Sequence, residues 1–314
     1  MLNTRVRLVF LGVVVTKSFI DFYFSVIITH YKLKNRPFYD TITVKVGEKM
    51  TDYKEIGNAR KILKFLKADI PVACYDTIDS TNNHAKRYCE KHKDNSLGTP
   101  MLFVAEHQSA GRGRLGRNFY SPSDTGLYMS LYINTDESFS DIVCMTTATA
   151  VCVCEALESL CDIKPLIKWV NDIYIDNKKV CGILCEAVTN PVTSTINGII
   201  IGIGININTT DFPDDIKDIA VSLNKDIDKM KLCALITDNI LEMYNNISDR
   251  SFIEEYKSRS MVLGREITYT ENGVTKTAKA TDIDKNGGLV IFDKNTEKTL
   301  SSGEISVRLN RNEI

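Results

Sequence analysis

Neither sign of charge predominates in this chain: 39 lysines and arginines face 40 aspartates and glutamates, for a formal net charge of -1. Nothing global therefore draws the molecule to nucleic acid or to an anionic membrane, and any electrostatic specificity has to be local. A CxxC is also missing among the nine cysteines. The closest pairs, Cys152/Cys154 and Cys181/Cys185, lie inside apolar segments, so they read as buried thiols in a reducing, cytoplasmic compartment rather than as disulfides or zinc ligands. Long unbroken apolar runs are absent too. Residues 8–28 come nearest, but Lys17 and Asp21 interrupt them. Each such charge costs about 2.5–3.5 kcal/mol at the centre of a membrane helix against ~0.3–0.6 regained per large apolar residue, which leaves a spanning helix marginal. Arg5 and Arg7 precede an apolar stretch as in a signal peptide, yet no clear small-x-small cleavage site follows. Residues 1–49 are read as an apolar N-terminal extension, or as sequence upstream of a working start at Met50. There is no internal repeat and no low-complexity linker, and 314 residues at 43% hydrophobic content suffice for a real core in two domains.

From Met50 onward the pattern is globular. Ile56, Ala59, Leu63 and Leu66 recur at helical spacing and predict one amphipathic helix over 53–68. A short strand follows at 72–75. Asp76-Thr77-Ile78-Asp79-Ser80-Thr81-Asn82-Asn83 then gathers small polar side chains ahead of a helical run to about His92. Such residues are favoured helix N-caps because their oxygens accept orphan backbone amides, but capping accounts for one or two of them, not for a run of this length. Residues 126–134 predict a strand and 139–161 a helix. Strands follow over 166–170, 172–175 and 180–188, with Asp176-Asn177-Lys178 as the turn between the last two. Residues 195–208 read as a buried strand whose glycines, Gly202 and Gly204, let another group approach its end. Helices are expected at 229–246 and around 252–260. The end of the chain turns β-rich, over 266–270, 276–283, 289–292 and 305–309, with hairpin signals at Asn272-Gly273 and Asn286-Gly287-Gly288, so a small all-β barrel closes it.

Two polar clusters carry the chemistry. In Glu106-His107-Gln108-Ser109-Ala110-Gly111-Arg112-Gly113-Arg114-Leu115-Gly116-Arg117-Asn118-Phe119-Tyr120-Ser121-Pro122, arginines alternate with glycines after a strand-like run over 101–105 and before a Ser-Pro turn. Glycine lets backbone amides approach a ligand, and guanidinium forks match carboxylate and phosphate oxygens. Alone, such a run is as well explained by a basic surface loop. The second cluster, Lys168-Trp169-Val170-Asn171-Asp172 with Lys179-Val180-Cys181-Gly182 across a hairpin, adds cations and a carboxylate suited to magnesium, which takes one or two carboxylates plus phosphate oxygens and waters. Singly, Asn171-Asp172 is a turn and Lys179 a solvated edge lysine; together with the arginine loop they suit phosphoryl or nucleotidyl chemistry. The GxxxxGK[ST] spacing of a P-loop is missing, so a nucleotide would be held in another way.

Ser80-Thr81-Asn82, the segment from Gln108 to Arg117, Lys168 to Asp172, Lys179-Val180-Cys181-Gly182-Ile183-Leu184 and Gly202-Ile203-Gly204-Ile205-Asn206 stand in the order and near the spacing of the biotin protein ligases, which the chain resembles from about Cys74 to its end. The closing Ser302-Gly303-Glu304-Ile305-Ser306-Val307-Arg308 is similar to that family's C-terminal barrel. The resemblance implies an α+β fold: a mixed, mostly antiparallel sheet with flanking helices, like the class II aminoacyl-tRNA synthetases, spans residues 50–260, and an SH3-like barrel spans 261–314. It implies a ligase that uses ATP and magnesium to activate biotin, then transfers it to a lysine of the biotin carboxyl carrier domain of a carboxylase. By the same resemblance Arg112 and Lys179 are catalytic. Ser80, Thr81, Asn82 and Gln108 surround the biotin head, with Gly111, Gly113, Arg114 and Gly182 along the carboxyl end and adenylate. Arg117, Phe119, Lys168, Asn171, Asp172 and Asn206 serve the nucleotide, Asp172 also meeting the metal. Three residues depart from the commonest pattern: Leu115 stands for an arginine, Phe119 for a tryptophan, and Val170 for a proline before Asn-Asp. Some relatives carry an N-terminal winged helix-turn-helix; residues 1–70 show no paired helices, so no nucleic-acid partner is expected, while a homodimer is compatible. The alternatives are a lipoate or octanoate ligase or transferase of the same fold, which the full arginine loop disfavours, and a nucleic-acid-binding module, which the near-zero charge disfavours.

Overall fold

The computed structural model describes residues 53–91, 99–135, 139–189, 196–271, 274–294, 296–301 and 308–309, together with four backbone strands nearer the N-terminus. The reading of residues 1–49, the expected lack of a helix pair there, the signal Asn272-Gly273 and the closing motif over 302–307 fall wholly or largely outside the described residues. The N-terminal strands are β1 (Leu8–Phe10), β2 (Val13–Val15), β3 (Ser25–Tyr31) and β4 (Tyr39–Lys45). There follow α1 (Tyr53–Phe65), β5 (Val72–Ile78), α2 (Thr81–Lys91), β6 (Met101–Gln108), β7 (Gly126–Asn134) and α3 (Phe139–Cys161). Next come β8 (Leu166–Lys168), β9 (Asp172–Ile175), β10 (Lys178–Thr189), β11 (Ile196–Asn206), α4 (Lys229–Asn245) and α5 (Phe252–Ser258). The last strands are β12 (Glu266–Glu271), β13 (Val274–Ile283), β14 (Leu289–Asp293), β15 (Thr296–Leu300) and β16 (Arg308–Leu309).

A nine-stranded sheet has the order β4-β3-β5-β6-β7-β11-β10-β9-β8. Within it β5 and β6 run parallel, and α2 lies in the crossover that a parallel pair requires; the other neighbours are antiparallel. The mixed, mostly antiparallel sheet expected from the resemblance is therefore present. The β9–β10 hairpin turns through Asp176 and Asn177, both at positive φ (49° and 60°), the geometry that a tight two-residue hairpin favours.

The period of two along each strand sorts the apolar residues onto two faces. Leu102 and Val104 of β6, Leu127, Met129 and Leu131 of β7, and Ile199, Ile201, Ile203 and Ile205 of β11 join the large core built with α1, α3, α4 and α5. The alternate residues Met101, Phe103, Tyr132 and Ile200 instead pack with Ala85 and Cys89 of α2. Among the described residues, one face is covered by α1, α3 and α4, with α5 packed behind on α3, and the other by the short α2, which leaves room on that second face for a cleft. α3 contains an apolar stretch, Cys144–Cys161, long enough to cross a membrane, but 78% of it is buried inside the molecule, as befits a central core helix. All nine cysteines are free thiols, and all but the half-buried Cys185 are buried.

The C-terminal strands form an antiparallel sheet in the order β15-β14-β13-β12-β16. β15 was not anticipated: Thr296-Glu297-Lys298-Thr299 carries no apolar alternation, because it is an exposed edge strand paired only to β14, and charged side chains are how natural sheets protect such edges. The Asn286-Gly287-Gly288 turn forms as expected, with Gly287 at φ +81° and the Asp284 carboxylate accepting from the amides of Asn286 and Gly288 at 2.8 Å each.

Candidate active site

The cleft opens on the α2 face, where the sheet gives up bulk. Across three strands, Ser130, Gly202 and Leu184 stand in register, and beside them Tyr128, Gly204 and Gly182. A Cβ on Gly202 would lie 2.1 Å from Asn82 Oδ1, and one on Gly204 would lie 2.5 Å from the Phe119 ring. The close approach expected at these glycines is made by two side chains of the protein itself, one from α2 and one from the arginine loop.

The first wall is the start of α2. Ser80, Thr81 and Asn82 are buried. Asp79 receives two bonds from Arg87 (2.8 and 2.6 Å), which hold the turn ahead of the helix. Gln108 Oε1 accepts from the Thr81 amide at 2.9 Å and hydroxyl at 3.2 Å, while its Nε2 donates to Ser121 Oγ at 2.9 Å. Asn82 Nδ2 donates to the Leu184 carbonyl at 3.2 Å and to Glu186 at 2.9 Å, and its Oδ1 receives the Ser130 hydroxyl at 2.6 Å.

The second wall is the arginine loop. Amides of Ser109 and Ala110 bond the carbonyls of Ile78 and Asp79 (2.9 and 2.8 Å), and Gly113 N–H bonds Arg117 O at 2.7 Å. Leu115 and Gly116 sit at positive φ (55° and 73°), which folds the loop tip back. Arg112 then reaches Asn83 Oδ1 (3.0 Å) and Glu186 (3.1 Å), whereas Arg114 reaches Asn171 Oδ1 (2.9 Å). Burial lowers the pKa of the Arg114 guanidinium while Asp172 works against that shift, and it remains a cation.

The third wall comes from β9 and β10. Asn171 Nδ2 donates to Ile183 O and to Asp172 Oδ1, both at 2.9 Å, and Lys179 Nζ lies 2.8 Å from the same Asp172 oxygen. The Lys179 backbone is held by bonds with Ile219 O (2.8 Å) and Val221 N (2.9 Å). Arg112 and Lys179, separated in the sequence by β7, α3, β8 and β9, line one cleft together with Ser80, Thr81, Asn82, Gln108, Gly113, Arg114, Phe119, Asn171 and Gly182. The cleft gathers the donors and acceptors of Ser80, Thr81, Asn82 and Gln108, the cations Arg112, Arg114 and Lys179, and the Phe119 ring beside Gly182 and Gly204, with Arg112 standing against the α2 wall through Asn83 and Glu186. Such a lining suits a ligand that combines a neutral polar head with an anionic group.

Residues 74–206 match the Biotin/lipoate A/B protein ligase family, and residues 262–308 match the Biotin protein ligase C terminal domain. The bifunctional ligase/repressor BirA of Bacillus spizizenii is 32% identical over 241 residues, which are 74% of this chain and 72% of that protein. The chain belongs to the biotin protein ligase family. A solved biotin protein ligase from Aquifex aeolicus, in complex with biotin and ATP, is similar to the ligase with a TM-score of 0.63 at 30% identity, over 76% of this chain and 99% of its own. The biotin–[acetyl-CoA-carboxylase] ligase of Mycobacterium tuberculosis is 24% identical over 218 residues, 65% of this chain and 78% of that protein.

Five residues expected at the site of the ligase do not line the cleft. Gly111 is buried behind the loop, where a Cβ would lie 2.4 Å from Phe119 O. Arg117 is exposed on the outer side, and Lys168 lies over the Tyr174 ring, 5.4 Å from its centroid. Asn206 is buried and donates to Val221 O at 3.2 Å, tying the end of β11 to the segment that holds Lys179. Asp172 enters through its contact with Lys179. For magnesium, both of its protein contacts fall on Oδ1, and the described residues contain no group of three His, Cys, Asp or Glu for an all-protein cage. One carboxylate beside Lys179 and Asn171 fits a magnesium that would bring its remaining ligands from a nucleotide and water. Sequence reading missed Ser130, Lys86 and Glu186; Ser121 stood in the arginine stretch but without its role as partner of Gln108. Ser130 and Glu186 fall on the cleft face by strand period alone, a signal that would have found them once the face was known.

Proposed function

We propose that the ligase activates biotin with ATP and then transfers it to a lysine on the biotin carboxyl carrier domain of a carboxylase. A biotin carboxylate oxygen attacks the α-phosphorus, the bond to the pyrophosphate oxygen breaks, and biotinoyl-AMP forms. The carrier amine then attacks the acyl carbon, and AMP leaves as the amine gives up its proton. Both substrates of the first step are anions, so positive charge is needed between them and on the phosphoryl oxygens as charge develops. Arg112 and Lys179 supply that charge, and Arg114, held by Asn171, retains the adenylate. Ser80, Thr81, Asn82 and Gln108 offer the mixed donors and acceptors that a ureido ring requires. Phe119 presents a ring face to adenine. Magnesium, held through Asp172, would screen the leaving pyrophosphate. The observation that carries this reading is the convergence of Arg112, Arg114 and Lys179 on the cleft that also contains the α2 polar cluster.

The carboxylase carrier is supported by the name of the Mycobacterium tuberculosis relative. A cytoplasmic location is supported by nine cysteines that form no disulfide with one another. The test is to incubate purified protein with ATP, magnesium and a carrier domain, offering biotin, lipoate or octanoate. Streptavidin-detectable labelling with biotin alone is expected; transfer of lipoate or octanoate without biotin would overturn the proposal.

A further inference from the structure

Glu186 lies outside every motif that singled out the site, yet three side chains from α2 and the arginine loop converge on it. Lys86 Nζ stands 2.7 Å from Oε1, Arg112 Nη1 stands 3.1 Å from Oε1 and 3.2 Å from Oε2, and Asn82 Nδ2 stands 2.9 Å from Oε2. Its side chain is only 16% exposed. A carboxylate in a cleft built for anions is unfavourable unless its charge is balanced. Lys86 supplies the balance: two cations surround one carboxylate, so the cluster still presents one positive charge to a ligand. Glu186 also gives the long Arg112 side chain a fixed partner, and a guanidinium already oriented loses less freedom when the ligand binds.

We propose that Glu186, neutralised by Lys86, is a positioning residue that holds the Arg112 guanidinium ready for biotin's carboxylate. The inference rests on the reading of Arg112 given above. Lys86 reaches Glu186 from α2, one turn beyond Asn82, and Arg112 also donates to Asn83 of that helix, so the element that carries the biotin-head residues also holds the arginine assigned to biotin's carboxylate.

The full-length protein tests this by calorimetric titration with biotin and by biotin-dependent pyrophosphate exchange, with Glu186→Gln made in both wild-type and Arg112→Ala backgrounds. Glutamine keeps an acceptor for Asn82 and removes the negative charge that faces Arg112 and Lys86. In the wild-type background the biotin Kd should rise about tenfold and exchange kcat fall at least about tenfold, with the thermal midpoint unchanged; in the Arg112→Ala background the Kd should change less than about twofold. Lys86→Gln, which leaves Glu186 unbalanced, should weaken biotin binding, and adding Glu186→Gln should reverse part of that loss. Equal losses in both backgrounds, no loss in either, or a lowered midpoint with unchanged Kd would overturn the proposal. If Arg112→Ala alone leaves binding and exchange at wild-type levels, the underlying role of Arg112 fails, and that single variant identifies it.

Discussion

Lys179 shows how little a residue's sequence neighbours reveal about its task. Read locally it is a lysine at the start of a strand after a turn; in the fold its ammonium is held by Asp172 in the cleft shared with Arg112. Lys179→Ala should lower biotin-dependent pyrophosphate exchange by about 10²–10³-fold, the range for removal of a group that stabilises transition-state charge. Melting should barely move, since partly exposed ion pairs contribute about 0–1 kcal/mol; exchange at the wild-type rate would remove Lys179 from the mechanism. His84 makes a different prediction. Its ring bonds the Tyr75 hydroxyl at 2.9 Å and packs near Phe103. Burial, aided by Arg87 and opposed by Asp79, lowers its pKa from 6.5 to about 4. Between these values the unfolded chain binds the proton and the folded chain does not, so stability present above pH 6.5 is lost as the pH falls towards about 4. Denaturant titrations at pH 7, 5.5 and 4.5 should show this decline, and His84→Gln should flatten it.

At the scale of elements, β11 is the most instructive strand. Its isoleucines at 199, 201, 203 and 205 enter the large core, while its cleft face carries Gly202 and Gly204. Gly202→Ala forces Asn82 aside and should raise the biotin Kd by more than about tenfold, whereas Gly204→Ala displaces Phe119 and should raise the KM for ATP while biotin binds nearly as before. Each should also cost about 1–3 kcal/mol of stability through overpacking. Titration calorimetry and denaturation check both; identical effects of the two variants on biotin would show that the glycines do not serve separate ends of the cleft. That these glycines admit a close neighbour was legible in the sequence. That the neighbours are Asn82 and Phe119 was not, because it depends on which strands and helices lie across that face.

Over the whole molecule, the C-terminal sheet is tied to the catalytic fold at the ligase's single tryptophan. Trp169 Nε1 donates to Gly287 O at 2.9 Å, Lys257 pairs with Asp282 at 2.9 Å, and one core cluster runs from Trp169 through Ile267, Tyr269 and Ile291. Calorimetry should therefore give one cooperative transition that coincides with the red shift of Trp169 fluorescence. Trp169→Phe, which orphans a buried carbonyl, should lower stability by about 1–3 kcal/mol; two resolved transitions would mean that the units unfold independently. The amino-acid sequence by itself determined most elements from α1 to β14, since helical and strand periods and turn chemistry act over a few residues, though not the edge strand β15 or the strands before Met50, and its ordered motifs were specific enough to point to a biotin ligase. It left open which cations meet, why Arg117 is exposed, and that Glu186 stands beside the cleft, against Arg112 and Asn82. Those outcomes depend on strand order and on which sheet face a helix covers, long-range choices made when the core excludes water from one face and leaves the other partly open.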